Sequence, residues 1–192
     1  MTEKALLIQD KDAESKDLTD VLASMDYSSV RVIKKSQDIV RHANDFEPDI
    51  VIIDVYRPAE NLLSMVAELV ALQPVPVVMF VNESSDNMVS DVIKSGVSAY
   101  IVDGYQRNRV RSIINVARAR FLEKQDLLKE LNETRTALDS RKIIDRAKGI
   151  VMKQKNCNEE KAYQLIRKMA MDKNSRIVDI AKQLIELVDL MQ

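Results

Sequence analysis

What this chain lacks rules out several classes of protein. It has one cysteine, Cys157, one histidine, His42, three glycines and no tryptophan in 192 residues. A lone cysteine cannot staple a fold internally, and it suits a reducing compartment. A lone histidine argues against a histidine metal cluster or a His-centred triad. No nucleophile–base pair or glycine-rich phosphate loop stands out, so an enzyme is not expected. With aromatics at 4% and hydrophobic residues at 46%, the cores must be mostly aliphatic and methionine. No apolar run approaches the roughly 20 residues that span a bilayer. The opening run at 5–8 is too short for a signal peptide. A soluble, cytoplasmic protein is expected, with no membrane contact.

The scarce residues are also unevenly placed. Pro48, Pro58, Pro74, Pro76, Gly96 and Gly104 all precede residue 105, and only Gly149 follows. Punctuation confined to the first half marks a boundary near 105. Charge divides similarly beneath a net value of −1: residues 1–106 carry nine Lys or Arg against eighteen Asp or Glu, and residues 141–192 carry twelve against seven. An acidic front and a basic rear suggest a regulatory domain joined to one that faces nucleic acid.

Short apolar runs at 5–9, 30–33, 49–54, 77–81 and 99–102 read as strands. Helical spacing fills the intervals at 13–25, 36–44, 59–72 and 85–95, with Ser36 as a cap and Gly96 as a terminator. This alternation predicts an α/β domain with a doubly wound, parallel, five-stranded sheet.

Asp10, the run Glu47-Pro-Asp-Ile-Val-Ile-Ile-Asp54 and the run Gly96-Val-Ser-Ala-Tyr-Ile-Val102 resemble the receiver domain of response regulators. The resemblance implies a flavodoxin-type fold, a Mg²⁺-binding acidic pair after the first strand and a phospho-acceptor Asp ending the third. Asp10 takes the place of the first acid and Asp54 that of the acceptor. The second acid is Lys11, with Asp12 beside it. Val81 replaces the usual Ser or Thr, and Asp103 the usual Lys. Asp10, Asp54 and Asp103 would then form an acidic pocket able to take Mg²⁺, with Asp54 expected not to function as an acceptor.

From 106 onward, Ile114, Ala117, Phe121, Lys124, Leu128, Leu131, Arg135 and Leu138 follow a heptad a/d register. The helix packs either on its own domain or on a second copy. Its length favours a homodimer through 107–138. The register then shifts to Ile143, Ile144 and Ala147 in a basic stretch with six Lys or Arg and one acid over 141–158. Gly149 inside that helix implies close helix approach or backbone access for RNA. Apolar stripes follow over 159–171 and 176–191, capped by Asn156 or Asn158, and predict a three-helix bundle.

Ser140-Arg141, Ile144, Ala147-Lys-Gly-Ile-Val-Met152, then Glu160, Ala162-Tyr163, Ile166-Arg167, Ala170-Met171 and Ile180-Ala181 resemble the ANTAR domain. The full layout is 1–106 receiver-like, 107–138 coiled-coil linker and 139–192 ANTAR. It is similar to the AmiR/NasT transcription antiterminators, and Val102-Asp103-Gly104 resembles the NasT branch. The resemblance implies binding to paired hairpins in leader mRNA. It also implies restraint by a NasS-like, ligand-sensing partner that answers nitrate or nitrite.

Lys and Arg supply phosphate contacts, and a Tyr ring can stack on an unpaired base. The candidate RNA-binding residues are therefore Arg146, Lys148 and Lys153, then Tyr163, Arg167 and Lys168, then Arg176. Solvated helix surface is the alternative for the cations, and a rim position in the core is the alternative for Tyr163. The competing functions are a phosphorylation-controlled DNA-binding response regulator and a protein-docking adaptor.

Overall fold

The computed structural model describes residues 3–10, 16–25, 27–34 and 38–189. It separates into two compact units, Met1–Gln125 and Asp126–Gln192.

The first unit alternates strand and helix: β1 (Glu3–Gln9), α1 (Lys16–Ala23), β2 (Tyr27–Lys34), α2 (Ile39–Phe46), β3 (Ile50–Val55), α3 (Glu60–Leu72), β4 (Val77–Val81), α4 (Asp86–Lys94) and β5 (Ala99–Ile101). The strands pair in parallel in the order β2-β1-β3-β4-β5. Every residue of β3 and β4 is buried. That explains the unbroken apolar runs, because helices cover both faces. Leu6, Ile8, Val51, Ile53 and Met79 pack on one side with α2, α3 and α4. Leu7, Ile50, Ile52, Val78 and Phe80 pack on the other with α1. Alternate residues thus serve opposite cores, as the two-residue strand period requires.

α2 starts later than the sequence suggests. Asp38 caps it, with Oδ1 accepting from Arg41 N at 3.0 Å. Ser36, the expected cap, lies outside the described residues, as do Lys11 and Asp12. After α4, Gly96 turns the chain at φ +91°, and a Cβ there would meet Val70 Cγ1 at 3.0 Å.

A single helix, α5 (Arg107–Lys155), spans 49 residues and contributes to both units. In the first, Val110, Ile114 and Ala117 are buried against the sheet. Arg118 Nη1 donates to both carboxylate oxygens of Glu3 at 2.8 Å. Ile114 and Ala117 therefore do not belong to an intermolecular seam, because the sheet covers them. From Asp126 to Asp139 every residue is exposed.

In the second unit the remainder of α5 packs with α6 (Glu159–Asp172) and α7 (Ile177–Asp189). α5 ends in a tight left-handed turn: Asn156 has φ +47°, and Cys157 N donates to Met152 O at 3.3 Å. Asn158, not Asn156, caps α6, accepting from Lys161 N at 3.0 Å. Asn174, at φ +49°, closes α6 in the same way, with Ser175 N donating to Ala170 O at 2.9 Å. The core holds Ala147, Val151, Ala162, Ile166, Ala170, Ile180, Ala181 and Ile185. Four alanines leave little volume, so the isoleucines carry the packing. Ile166→Ala should cost about 2–5 kcal/mol and show as earlier melting of helical signal, with the sheet's transition unmoved.

Candidate nucleic-acid interface

Seven candidate residues project from the helical unit, and the structure sorts them by partner. Arg146 on α5 reaches α7: Nη2 donates to Asp189 Oδ1 at 2.9 Å and Oδ2 at 3.1 Å. Lys148 is the most enclosed, its side chain 15% exposed. Its ammonium sits between Asp145 Oδ1 and Glu159 Oε1, the latter at 2.6 Å, and so ties α5 to the first turn of α6. Arg176, just before α7, forks onto Asp179: Nε to Oδ2 at 2.9 Å, Nη2 to Oδ1 at 3.1 Å. Lys153, Arg167 and Lys168 are exposed and form no ion pair among the described residues. Tyr163 is 36% exposed on α6, one turn before Arg167.

The positive face is thus less available than its composition implies. Cations already held by carboxylates must break those contacts to take a phosphate. Sequence reasoning missed these counter-acids. Asp145 could have been found from its i,i+3 spacing to Lys148, whereas Glu159 and Asp189 carry no local signal.

The Lys148 cage has a definite pH signature. Its hydrogen bond to Asp145, then that to Glu159, raises the Lys148 pKa above the ordinary lysine value. The same contact holds Asp145 below the usual carboxylate value. A lowered carboxylate pKa stabilises the fold above the unfolded value and loses that contribution as pH falls through the folded one. A raised lysine pKa stabilises below the unfolded value and loses its contribution as pH rises through the folded one. The cage is therefore complete across neutral pH. Lys148→Met should flatten the loss of bundle stability as pH falls below about 4, the ordinary carboxylate value, read by melting at each pH.

Beside this cage lies a groove of about 690 Å³, lined by Ala137, Arg141, Ile144, Gly149, Met152 and Tyr163 among others. An added Cβ at Gly149 would meet nothing within 4 Å. Close helix approach, expected from the sequence, is therefore not its reason.

In the sheet unit the expected acidic pocket does not assemble. Asp54 is 6% exposed within β3. Asp10 N donates to Asp54 O at 3.3 Å, and Asp10 Oδ2 accepts from Tyr56 N at 3.0 Å. Tyr56 OH donates to Glu83 Oε1 at 2.6 Å, and Tyr56 O accepts from Asn82 N and Glu83 N, each at 3.0 Å. Asp103 sits at φ +67° in an exposed turn that Gly104 N closes onto Val81 O at 2.8 Å. A bound Mg²⁺ needs several converging oxygens. Among the described residues no three His, Cys, Asp or Glu are grouped to hold a metal.

Comparison with known proteins gives these parts a family. Residues 5–115 match the response regulator receiver domain, and residues 132–185 match the ANTAR domain. The transcriptional regulatory protein PdtaR of Mycobacterium tuberculosis (strain ATCC 25618 / H37Rv) is 26% identical over 183 residues, 95% of this chain and 89% of that protein. The nitrate regulatory protein of Klebsiella oxytoca is 40% identical over 75 residues, 39% of this chain and 19% of that protein. Among solved structures, the chemotaxis response regulator CheY4 of Vibrio cholerae is similar at TM-score 0.52 and 16% identity, over 61% of this chain and 99% of that one. A signal receiver domain of a modulated diguanylate cyclase from Desulfovibrio desulfuricans also reaches 0.52, at 18% identity, over 64% and 99%. At such identities the structures show the fold alone. With a receiver match across more than half of the chain, on a parallel sheet of order β2-β1-β3-β4-β5, this protein belongs to the response regulator receiver family and carries an ANTAR domain at 132–185.

Proposed function

We propose that this protein is an RNA-binding regulator of transcription antitermination that acts in the cytoplasm and performs no bond chemistry. Its helical unit grips hairpins in leader mRNA and stabilises one of two competing RNA folds. The observation that carries this is the set of exposed cations, Lys153, Arg167 and Lys168, without an ion pair among the described residues, on a small bundle whose stretch 132–185 matches the ANTAR domain. The exposed middle of α5 supports a homodimer, in which two modules take two hairpins. The likeness to the Klebsiella nitrate regulatory protein supports a nitrate or nitrite assimilation operon as the target. A NasS-like, ligand-sensing protein would hold the chain inactive through the receiver. The buried Asp54 and the Val81 and Asp103 replacements favour control by such a partner over phosphorylation.

Binding of a two-hairpin RNA and of a DNA duplex of equal length, each titrated against salt, tests this reading. RNA should bind tighter at every salt concentration, with a steep negative slope of log K against log salt. Equal or tighter binding of the duplex would transfer the function to DNA. Co-purification tests the sensor: native protein should emerge with a partner that nitrate or nitrite releases.

A further inference from the structure

α5 contains one glycine in 49 residues, and nothing in the bundle requires it. A helix-interior glycine costs about 0.5–1 kcal/mol relative to alanine. Two structural reasons usually justify it, a backbone conformation closed to side chains or close approach by a neighbouring element. Gly149 has neither: its φ is not positive, and the space where its Cβ would stand is open. What remains is access to the helix backbone for something outside the chain.

That access opens onto the groove beside the Lys148 cage. Its lining combines apolar surface from Ile144 and Met152, the exposed Tyr163, and a charged rim. The rim holds Arg141 and Lys148 against Asp145 and Glu159, so it is balanced rather than positive. Its size falls within the range of about 300–1,000 Å³ usual for small-ligand clefts. Lys148 occupies Oδ1 of Asp145 and Oε1 of Glu159, which leaves the second oxygen of Glu159 as an acceptor at the rim.

We propose that this groove is a nucleobase subsite, which rests on the RNA reading given above. One unpaired base of a hairpin loop enters over Gly149, lays its face on Tyr163 and turns an amino-bearing edge to the second carboxylate oxygen of Glu159. Adenine, guanine and cytosine carry such an amino group, and uracil does not, so uracil is disfavoured. A helix from a second copy fits the groove less well. Its apolar stripe would bury four rim charges without partners of its own, whereas a base edge offers hydrogen bonds to them.

A pool of RNA hairpins with randomised loops, bound to the full chain at fixed salt and sequenced, tests the assignment. The wild-type protein should enrich an amino-bearing base at one loop position. Gly149→Leu should lose that preference by about 5- to 150-fold, the range of a single stacked base, with the salt slope of hairpin binding retained. Gly149→Ala controls for folding and should melt higher than wild type. Glu159→Gln should relax the discrimination against uracil. A wild type that binds hairpins without base preference, or a Gly149→Leu variant that keeps it, overturns the subsite and leaves the RNA reading standing. A Gly149→Leu variant that instead changes oligomeric state assigns the groove to a second copy and also overturns it. Failure of the whole pool to bind removes the RNA reading itself, and the subsite with it.

Discussion

If the proposed homodimer forms through α5, replacing Leu127, Leu128, Leu131 and Leu138 together by glutamine should turn it into a monomer. It should also weaken binding of a two-hairpin RNA by about 10²- to 10⁴-fold, the gain that linking two sites provides. These leucines are 60%, 49%, 65% and 55% exposed. Leu127, Leu131 and Leu138 are spaced by 4 and 7, so they share one helix face, with Leu128 beside them. Every residue from Asp126 to Asp139 is exposed, and a helix exposed on all sides has little packing to hold it. In the proposed homodimer a matching leucine face on a second copy would supply that packing. Glutamine keeps helix propensity, so the change removes the seam rather than the helix. Sedimentation should show half the mass, while affinity for a single hairpin stays within a few-fold of wild type. A quadruple variant that still sediments as a dimer would place the interface elsewhere.

The same helix shows where sequence reading works and where it stops. The spacing marked a long helix over 107–138 and a separate bundle helix beyond the register shift, and the structure joins the two in one helix that no proline interrupts. Which heptad positions meet a partner was not legible. Ile114 and Ala117 obey the same spacing as Leu131 and Leu138, yet the sheet buries the first pair and leaves the second bare. Periodicity reports which face is apolar and not what covers it. The strands were found for the opposite reason: runs such as Ile-Val-Ile-Ile at 50–53 have no use outside a sheet covered on both sides. Caps were weaker, because Ser36 and Asp38 are equally good cap residues and only the backbone selects between them.

The site was legible by residue type and not by pairing. Charge counting placed the candidate cations in the stretch that forms the helical unit. It could not show that Arg146, Lys148 and Arg176 are already engaged by carboxylates 43, 11 and 3 residues away. Among the described residues Asp10, Asp54 and Asp103 form no group that could hold a metal ion. Asp103 was placed by analogy at the end of the fifth strand, but β5 stops at Ile101 and a left-handed turn follows.

That division of the cations leads to the other large expected effect. Lys153, Arg167 and Lys168, changed together to glutamine, should lower the slope of log K against log salt by about 2 to 3 units, since each phosphate contact contributes about 0.7–0.9. Near 0.1 M salt that corresponds to a loss of about 10²- to 10³-fold in hairpin affinity, relative to the value extrapolated to 1 M. All three are exposed and unpaired among the described residues, so melting should not move. Arg146→Gln should behave oppositely: it breaks the α5–α7 pair, lowers the melting temperature of the bundle and leaves the slope within one unit of wild type. Measuring slope and melting on both variants separates a cation that meets RNA from one that holds helices together. If the triple variant keeps the wild-type slope while Arg146→Gln loses it, the paired cations are the ones that open to receive phosphate, and the free ones are solvated surface.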